Sequence, residues 1–181
     1  MPPPYARLKD PASYVPPRIV RTSRLDLCPA SVDDAAAVAQ ARGESHAELV
    51  PWFHGTMGNP GHERDARWQS ERLAEAVEAA QRRERLSYLA WASGVCVGAV
   101  DLIPQWRRGQ FRLSYWVRSS ACRQGYGAQA VNAMIRAAFG ALDARWASGR
   151  SHASRLGTRC PTACWWTASP MPSKTLPSCH P

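Results

Sequence analysis

Three consecutive segments constrain this chain most: Phe111-Arg-Leu-Ser-Tyr-Trp-Val117, then Arg118-Ser-Ser-Ala-Cys-Arg-Gln-Gly-Tyr-Gly-Ala128, then a run to Phe139. The first alternates large apolar with polar side chains, the period of two that marks a half-buried strand. In the third, Ala130, Val131, Met134, Ile135, Ala138 and Phe139 fall on one stripe at helical spacing. A strand, a glycine-bearing turn and a helix start therefore follow one another directly. The first turn of a helix presents N–H groups with no internal partner, and the helix dipole adds positive potential there. Gly125 and Gly127 let the main chain approach a ligand closely, with Arg118 and Arg123 alongside. Such an element suits a phosphate, and it reads as a pyrophosphate cradle.

Gly-x-Gly at such a turn can also be tight-turn chemistry alone, so the surroundings decide. A dinucleotide fingerprint would need a third glycine near position 130, where this chain has Ala, and an acidic residue closing a second strand. Asp143 stands at the right distance, but at the end of the helical run rather than after a strand. A nucleoside-triphosphate P-loop is excluded, because no Gly-Lys-Ser/Thr occurs.

At these residues the chain resembles the GNAT superfamily of acetyl-CoA-dependent N-acetyltransferases, most closely its RimJ/RimL-like branch. The family signature Arg/Gln-x-x-Gly-x-Gly/Ala falls on Cys122-Arg-Gln-Gly125-Tyr-Gly127, with Cys122 in place of the usual Arg or Gln. Thr22-Ser-Arg-Leu-Asp-Leu-Cys-Pro-Ala30 is similar to the family's first strand, and Ser31-Val-Asp-Asp-Ala35 to the start of its first helix. Glu44-Ser-His-Ala-Glu-Leu-Val-Pro-Trp52 resembles a branch segment ending in Pro-Trp, and residues 95–103 resemble the third strand. The resemblance covers about residues 18–143. It implies acetyl-CoA as co-substrate and no metal. It also implies a coenzyme site made by Tyr115, Trp116, Val117, Arg118, Cys122, Arg123, Gln124, Gly125, Tyr126, Gly127 and Ala128. The exposed edge of 115–117 would take the pantetheine arm as an added strand, and an amide near Val117 would polarise the thioester carbonyl.

The residues read without the family give a compatible architecture. Ser31 is a good N-cap for an Ala-rich helix over 31–42, with Asp33 and Asp34 in its first turn. Residues 63–85 carry Trp68, Leu73, Ala76, Val77 and Ala80 at helical spacing. Residues 87–92, Ser93-Gly94 and 95–103 read as strand, tight turn and strand, and 104–109 as a loop. The expected fold is α+β: a mixed, mostly antiparallel central sheet flanked by helices, with the C-terminal strands apparently missing.

Residues 1–17 hold six prolines and no apolar signal region, and read as an extended, mobile arm. No run is long and apolar enough for a membrane span, which needs roughly 18 residues. Cys28, Cys96 and Cys122 have no metal-ligand spacing and point to a reducing cytoplasm. After Asp143 the character changes: residues 144–181 have no Asp or Glu but five basic residues, five prolines, three cysteines and three tryptophans. This tail reads as a disordered basic extension, as a metal site on Cys160, Cys164, Cys179 and His180, against which the spacing argues, or as a frameshifted product. The genetic code favours the last. Ala163-Cys-Trp-Trp-Thr167 is encoded GCN-TGY-TGG-TGG-ACN, and two bases along the same bases read Leu, Met or Val, then Leu, Val and Asp, which is strand-like. A frameshift near residue 145 is the resulting expectation.

A transferase of this kind needs a base for the ammonium proton. Asp101 is the first candidate, with Glu44 and Glu48 behind it and Tyr115 as a possible relay; each has an ordinary surface or core role as its plainer reading. His46, His54 and His62 fall at helix ends and loops and read as solvated. The net charge of +9 owes five positives to residues 144–181, and two lysines beside 21 arginines suggest a GC-rich genome more than a nucleic-acid surface. Three functions stay in view. They are an N-acetyltransferase acting on a primary amine (a protein N-terminus such as a ribosomal protein, or a small molecule), a degenerate acyl-CoA-binding protein without turnover, and a basic RNA- or ribosome-associated module. Nothing in the sequence fixes an oligomeric state.

Overall fold

The computed structural model describes residues 10–53 and 55–149. A six-stranded sheet runs in chain order, β1 (Val20–Arg21), β2 (Asp26–Pro29), β3 (Leu86–Ala92), β4 (Val95–Gln105), β5 (Gln110–Val117) and β6 (Trp146–Gly149). Every pairing is antiparallel except β5 with β6, which is parallel. A parallel pair needs a crossover connection, and α5 (Tyr126–Ala141) supplies it. Between β2 and β3 stand α1 (Ala35–Glu44), α2 (His46–Phe53), α3 (Pro60–Arg64) and α4 (Ala66–Gln81). The sheet is mixed, mostly antiparallel and flanked by helices, as the sequence predicts.

Apolar side chains fill both faces. Leu86, Tyr88, Val100, Leu102, Phe111 and Leu113 join Ala130, Val131, Met134 and Ala138 of α5 in one cluster. Val38, Leu49, Leu73, Leu89, Cys96 and Trp116 form the other, under α1, α2 and α4. The period-two pattern of β5 thus sends Phe111, Leu113, Tyr115 and Val117 to one side and Trp116 to the other. In β4 the phase changes. Ala90 faces Gly98 while Trp91 faces Cys96, which leaves Val97 as the extra residue of a β-bulge.

Local signals hold where the chain supplies its own partners. The Ser31 Oγ accepts from the Asp33 N–H (3.3 Å) and the Asp34 carboxylate accepts from the Ser31 N–H (3.1 Å), which starts a 3₁₀ turn leading into α1. Ser93 (φ 48°) and Gly94 (φ 78°) make the tight turn between β3 and β4.

Four expectations need correction. The helix expected over 63–85 is two helices, because Asp65 leaves helical geometry and caps α4 by accepting from the Arg67 N–H (2.9 Å). The first strand is a small hairpin, β1 and β2, whose turn is bonded through the Thr22 hydroxyl. Residues 10–17, read as part of a mobile arm, are docked. Tyr14 is buried and stacks on Trp106 at 5.2 Å, the Tyr88 hydroxyl donates to the Pro17 carbonyl (2.7 Å), and Arg83 donates to the Tyr14 carbonyl (3.2 Å). Strand β6 lies inside the stretch read as a patternless tail. The frameshift reading and the Cys160, Cys164, Cys179 and His180 set concern residues outside those described. No helix among the described residues is long and apolar enough to cross a membrane.

Candidate functional site

Strand β6 pairs with β5 only from Gln110↔Trp146 to Leu113↔Gly149, so among the described residues the outer edge of Ser114–Val117 has no strand partner. Backbone groups on such an edge call for a partner. From Val117 the chain passes through a single 3₁₀ turn, Ser119–Ala121, and enters α5 through Arg123 (φ 63°) and Gly125 (φ 80°), both in the left-handed region. Gly125 is the N-cap of α5 and no side chain caps it. The Gln129 N–H donates to the Gly125 carbonyl (3.0 Å), so the N–H groups of Tyr126, Gly127 and Ala128 precede the helix's own ladder.

Two glycines make room at this junction. A Cβ on Gly127 would lie 3.1 Å from Val117 Cγ2 and 3.2 Å from a ring carbon of Tyr115, so the start of α5 seats directly on β5. A Cβ on Gly98 would collide with the Trp116 carbonyl oxygen, so any larger residue there would force β5 to shift. The bulge beside it offers the Val97 carbonyl to the Arg118 N–H (2.8 Å), fixing the point where strand becomes loop. Val97, Gly98, Tyr115, Val117, Tyr126 and Gly127 line a small apolar cleft of about 10 Å³. A narrow apolar slot that opens at uncapped helix amides suits a ligand with a slender arm and an anionic group.

Both halves of the loop are anchored from elsewhere in the chain. Glu44, at the end of α1, accepts from Arg118 Nε (2.5 Å) and from the Ser120 N–H (2.8 Å), and the Ser45 hydroxyl accepts from the Ser119 N–H (2.9 Å). Burial pushes the Glu44 carboxyl up, but the Ser120 and Arg118 hydrogen bonds and the Arg118 charge together hold it below the usual carboxylate range. Arg118 is thus held in an ion pair, and Glu44 ties the end of α1 to the loop. On the other side Arg24, from the β1–β2 hairpin, donates to the Gln124 carbonyl and lies over the Tyr126 ring at 4.6 Å. Gln129 Nε2 donates to Ser23 (2.9 Å) beside it. Cys122 packs its Sγ against the Val117 and Arg118 carbonyls (3.9 and 3.4 Å).

The proposed proton carriers stand apart. Asp101 is opposite Ser114 and Tyr115 opposite Val100, so Asp101 projects toward the α1–α4 side and Tyr115 toward α5. Burial pushes the Asp101 carboxyl up, against the opposing pull of a hydrogen bond with Ser87 and the charges of Arg85 and Arg42. On the same side Glu48 has one carboxylate oxygen, Oε2, buried with no hydrogen-bond partner. Glu63 is fully buried there and accepts from Arg42 Nε (2.5 Å), the Gly58 N–H (2.7 Å) and Gln69 Nε2 (2.9 Å). Nothing in the sequence singles out that pair, since its partners are distant in the chain. His46 and His62, read as solvated, have partners: His46 Nε2 lies 3.1 Å from the Gly58 carbonyl, and His62 stacks on Trp68. His54 is outside the described residues.

Comparison with known proteins agrees with this geometry. A family model described as an acetyltransferase (GNAT) domain matches residues 24–160. No curated protein matches the chain by sequence. Among solved structures, the chain is similar to the ribosomal-protein-S5-alanine acetyltransferase of Vibrio fischeri, with TM-score 0.62, 16% identity and 72% of each chain covered. It is also similar to Mycobacterium smegmatis RimJ in complex with CoA-disulfide, with TM-score 0.65, 20% identity and coverage of 75% of this chain and 66% of that one. A third is the Salmonella typhimurium acetyl transferase that modifies the N-terminal serine of ribosomal protein L7/L12, with TM-score 0.61, 17% identity and coverage of 72% and 73%. At these identities the likeness establishes a shared fold.

Proposed function

Because this chain belongs to the acetyltransferase (GNAT) family, we propose that it transfers the acetyl group of acetyl-CoA to a primary amine, with the backbone of residues 123–128 holding the coenzyme diphosphate. The observation that carries this reading is the uncapped start of α5, set on β5 beside the stretch past Leu113 that β6 does not pair, with a cleft between them. Amides at such a helix start suit a diphosphate. A pantetheine arm would run along Tyr115, Val117 and Gly98, where Gly98 and Gly127 allow β4, β5 and the start of α5 to approach closely.

Acetyl-CoA brings the acyl group already activated as a thioester. The protein's contribution is chiefly to hold the two reactants in line, which replaces an improbable encounter with a local one. An edge amide near Val117 stabilises the carbonyl oxygen as charge develops. The amine approaches from the α1–α4 side, and Asp101, three positions along β4 from the residue paired with Val117, accepts its proton through water as nitrogen bonds to the carbonyl carbon and the coenzyme thiolate departs. A raised carboxyl pKa suits a base, because proton affinity closer to the working pH improves transfer. The names of structural neighbours record action on ribosomal-protein N-termini, so a protein N-terminus is the first acceptor to test and a small amine the second.

Titration with desulfo-CoA, followed on the amide resonances of residues 120–128, tests the cradle. Large shifts confined to that loop and the cleft are expected, and unmoved resonances would remove the assignment. Thiol release across a panel of N-terminal peptides and small amines then separates a working transferase from a degenerate binder, which would take up coenzyme without turnover.

A further inference from the structure

We infer that Arg24 is a positioning residue for the coenzyme: from the β1–β2 hairpin it sets the direction of the Gly125 amide that faces the diphosphate. This rests on the reading of residues 123–128 as the diphosphate cradle. The argument begins with the peptide bond. A trans peptide is planar, and its C=O and N–H point in opposite directions. The Gln124 carbonyl receives the Arg24 guanidinium, so the N–H of the same peptide unit, that of Gly125, is turned to the side away from Arg24. Without that grip the unit could rotate, because Gly125 sits at φ 80° with no Cβ to resist alternatives.

The Arg24 side chain is itself constrained. Its guanidinium lies 4.6 Å from the Tyr126 ring centroid, a cation–π contact. A Cβ on Gly125 would come within 3.5 Å of Arg24 Nη2, so the side chain covers the outer surface of the turn. The hairpin that carries it is tied down at Thr22, whose hydroxyl accepts from the Leu25 N–H (2.8 Å), and at Ser23, which receives Gln129 Nε2 (2.9 Å). Arg118 is held by Glu44 and Arg24 by the loop carbonyl, so both side chains serve the shape of the loop. The loop arrives already folded for its ligand, and ordering costs are met before binding.

The test is Arg24→Met, with Arg24→Lys as the conservative partner. Arg24 is exposed, so both variants should fold. For Arg24→Met the affinity for desulfo-CoA should fall about tenfold, and KM for acetyl-CoA should rise to match while kcat at saturation stays unchanged. Affinity for pantetheine alone, which lacks the diphosphate, should not move. Arg24→Lys should recover most of the loss by donating to the same carbonyl. Equal affinity in wild type and Arg24→Met, or a parallel loss for pantetheine, would overturn the proposal. A shallower salt dependence of coenzyme binding in Arg24→Met would also overturn it, by assigning Arg24 to the phosphate itself. Wild-type protein that ignores desulfo-CoA would instead bring down the cradle reading on which the proposal stands.

Discussion

The two faces of the sheet are built by different means. On the α5 side the candidate site is made of main chain: uncapped amides, the end of β5 that β6 does not pair, a bulge and two glycines that admit close approach. On the α1–α4 side it is made of charged side chains, with Glu63 buried against Arg42 and Gln69, Glu44 against Arg118, and Asp101 beside Ser87. A backbone site depends on shape and tolerates most side chains that keep it. A side-chain site depends on identity, because a buried charge left unpaired is costly. The comparison fits the proposed division of labour, in which one face takes a constant ligand and the other the chemistry and the acceptor.

The largest effect should come from the chemical face. Asp101→Asn should lower turnover by roughly 100- to 10,000-fold, the usual range for loss of a general base, with coenzyme affinity retained. Because the folded protein raises this carboxyl's pKa, the native state binds its proton more tightly than the unfolded chain does. Stability should therefore decline as pH rises from the ordinary aspartate range through the raised value. Asp101→Asn should flatten that decline in thermal melts. Turnover undiminished in the variant would mean that proton removal belongs elsewhere on this face.

Next in size is Glu63→Ala, which strands Arg42 and should cost about 3–5 kcal/mol in denaturant unfolding. Desulfo-CoA affinity of the folded fraction should hardly change, and a proportional loss would show that the faces are not separable. Gly98→Ala is the reverse case. A Cβ colliding with the Trp116 carbonyl must push β5 away, at about 1–3 kcal/mol, with coenzyme affinity falling more than stability does.

The smallest effect concerns acid. Glu63 and Glu44 both have carboxyls held below the usual range, so the stability they contribute is present above that range and is lost as pH falls through their folded values. Glu44→Gln should remove roughly 1 kcal/mol or less of it, because the carboxylate is partly exposed. Equal acid sensitivity in the variant would detach Glu44 from loop anchoring.

What could be read beforehand follows the same division. Strand β5, α5 and the glycine turn announce themselves through periodicity and backbone requirements, which are local. The stripe expected on α5 is the one that packs, with Ala133 added to it. The contacts of Arg24 and Arg118 were hidden, because their partners are 100 and 74 residues away, and the burial of Glu63 was hidden because no local pattern marks its pairing with Arg42. Tyr14 was masked by the prolines around it: one aromatic anchor outweighs a composition that otherwise says arm. Strand β6 offers only Trp146-Ala-Ser-Gly149, too short for a period to show, and it is a strand because α5 returns the chain alongside β5.

That last pairing bears on how the molecule assembles. Each of β2 to β5 pairs antiparallel with the strand before it in the chain, β3 reaching β2 across the four helices between them. The parallel partner β6 reaches β5 only through the sixteen-residue helix α5. The seam beside which the coenzyme is proposed to lie therefore requires both β5 and a docked α5. A chain interrupted before α5 would hold most of a sheet and none of the groove.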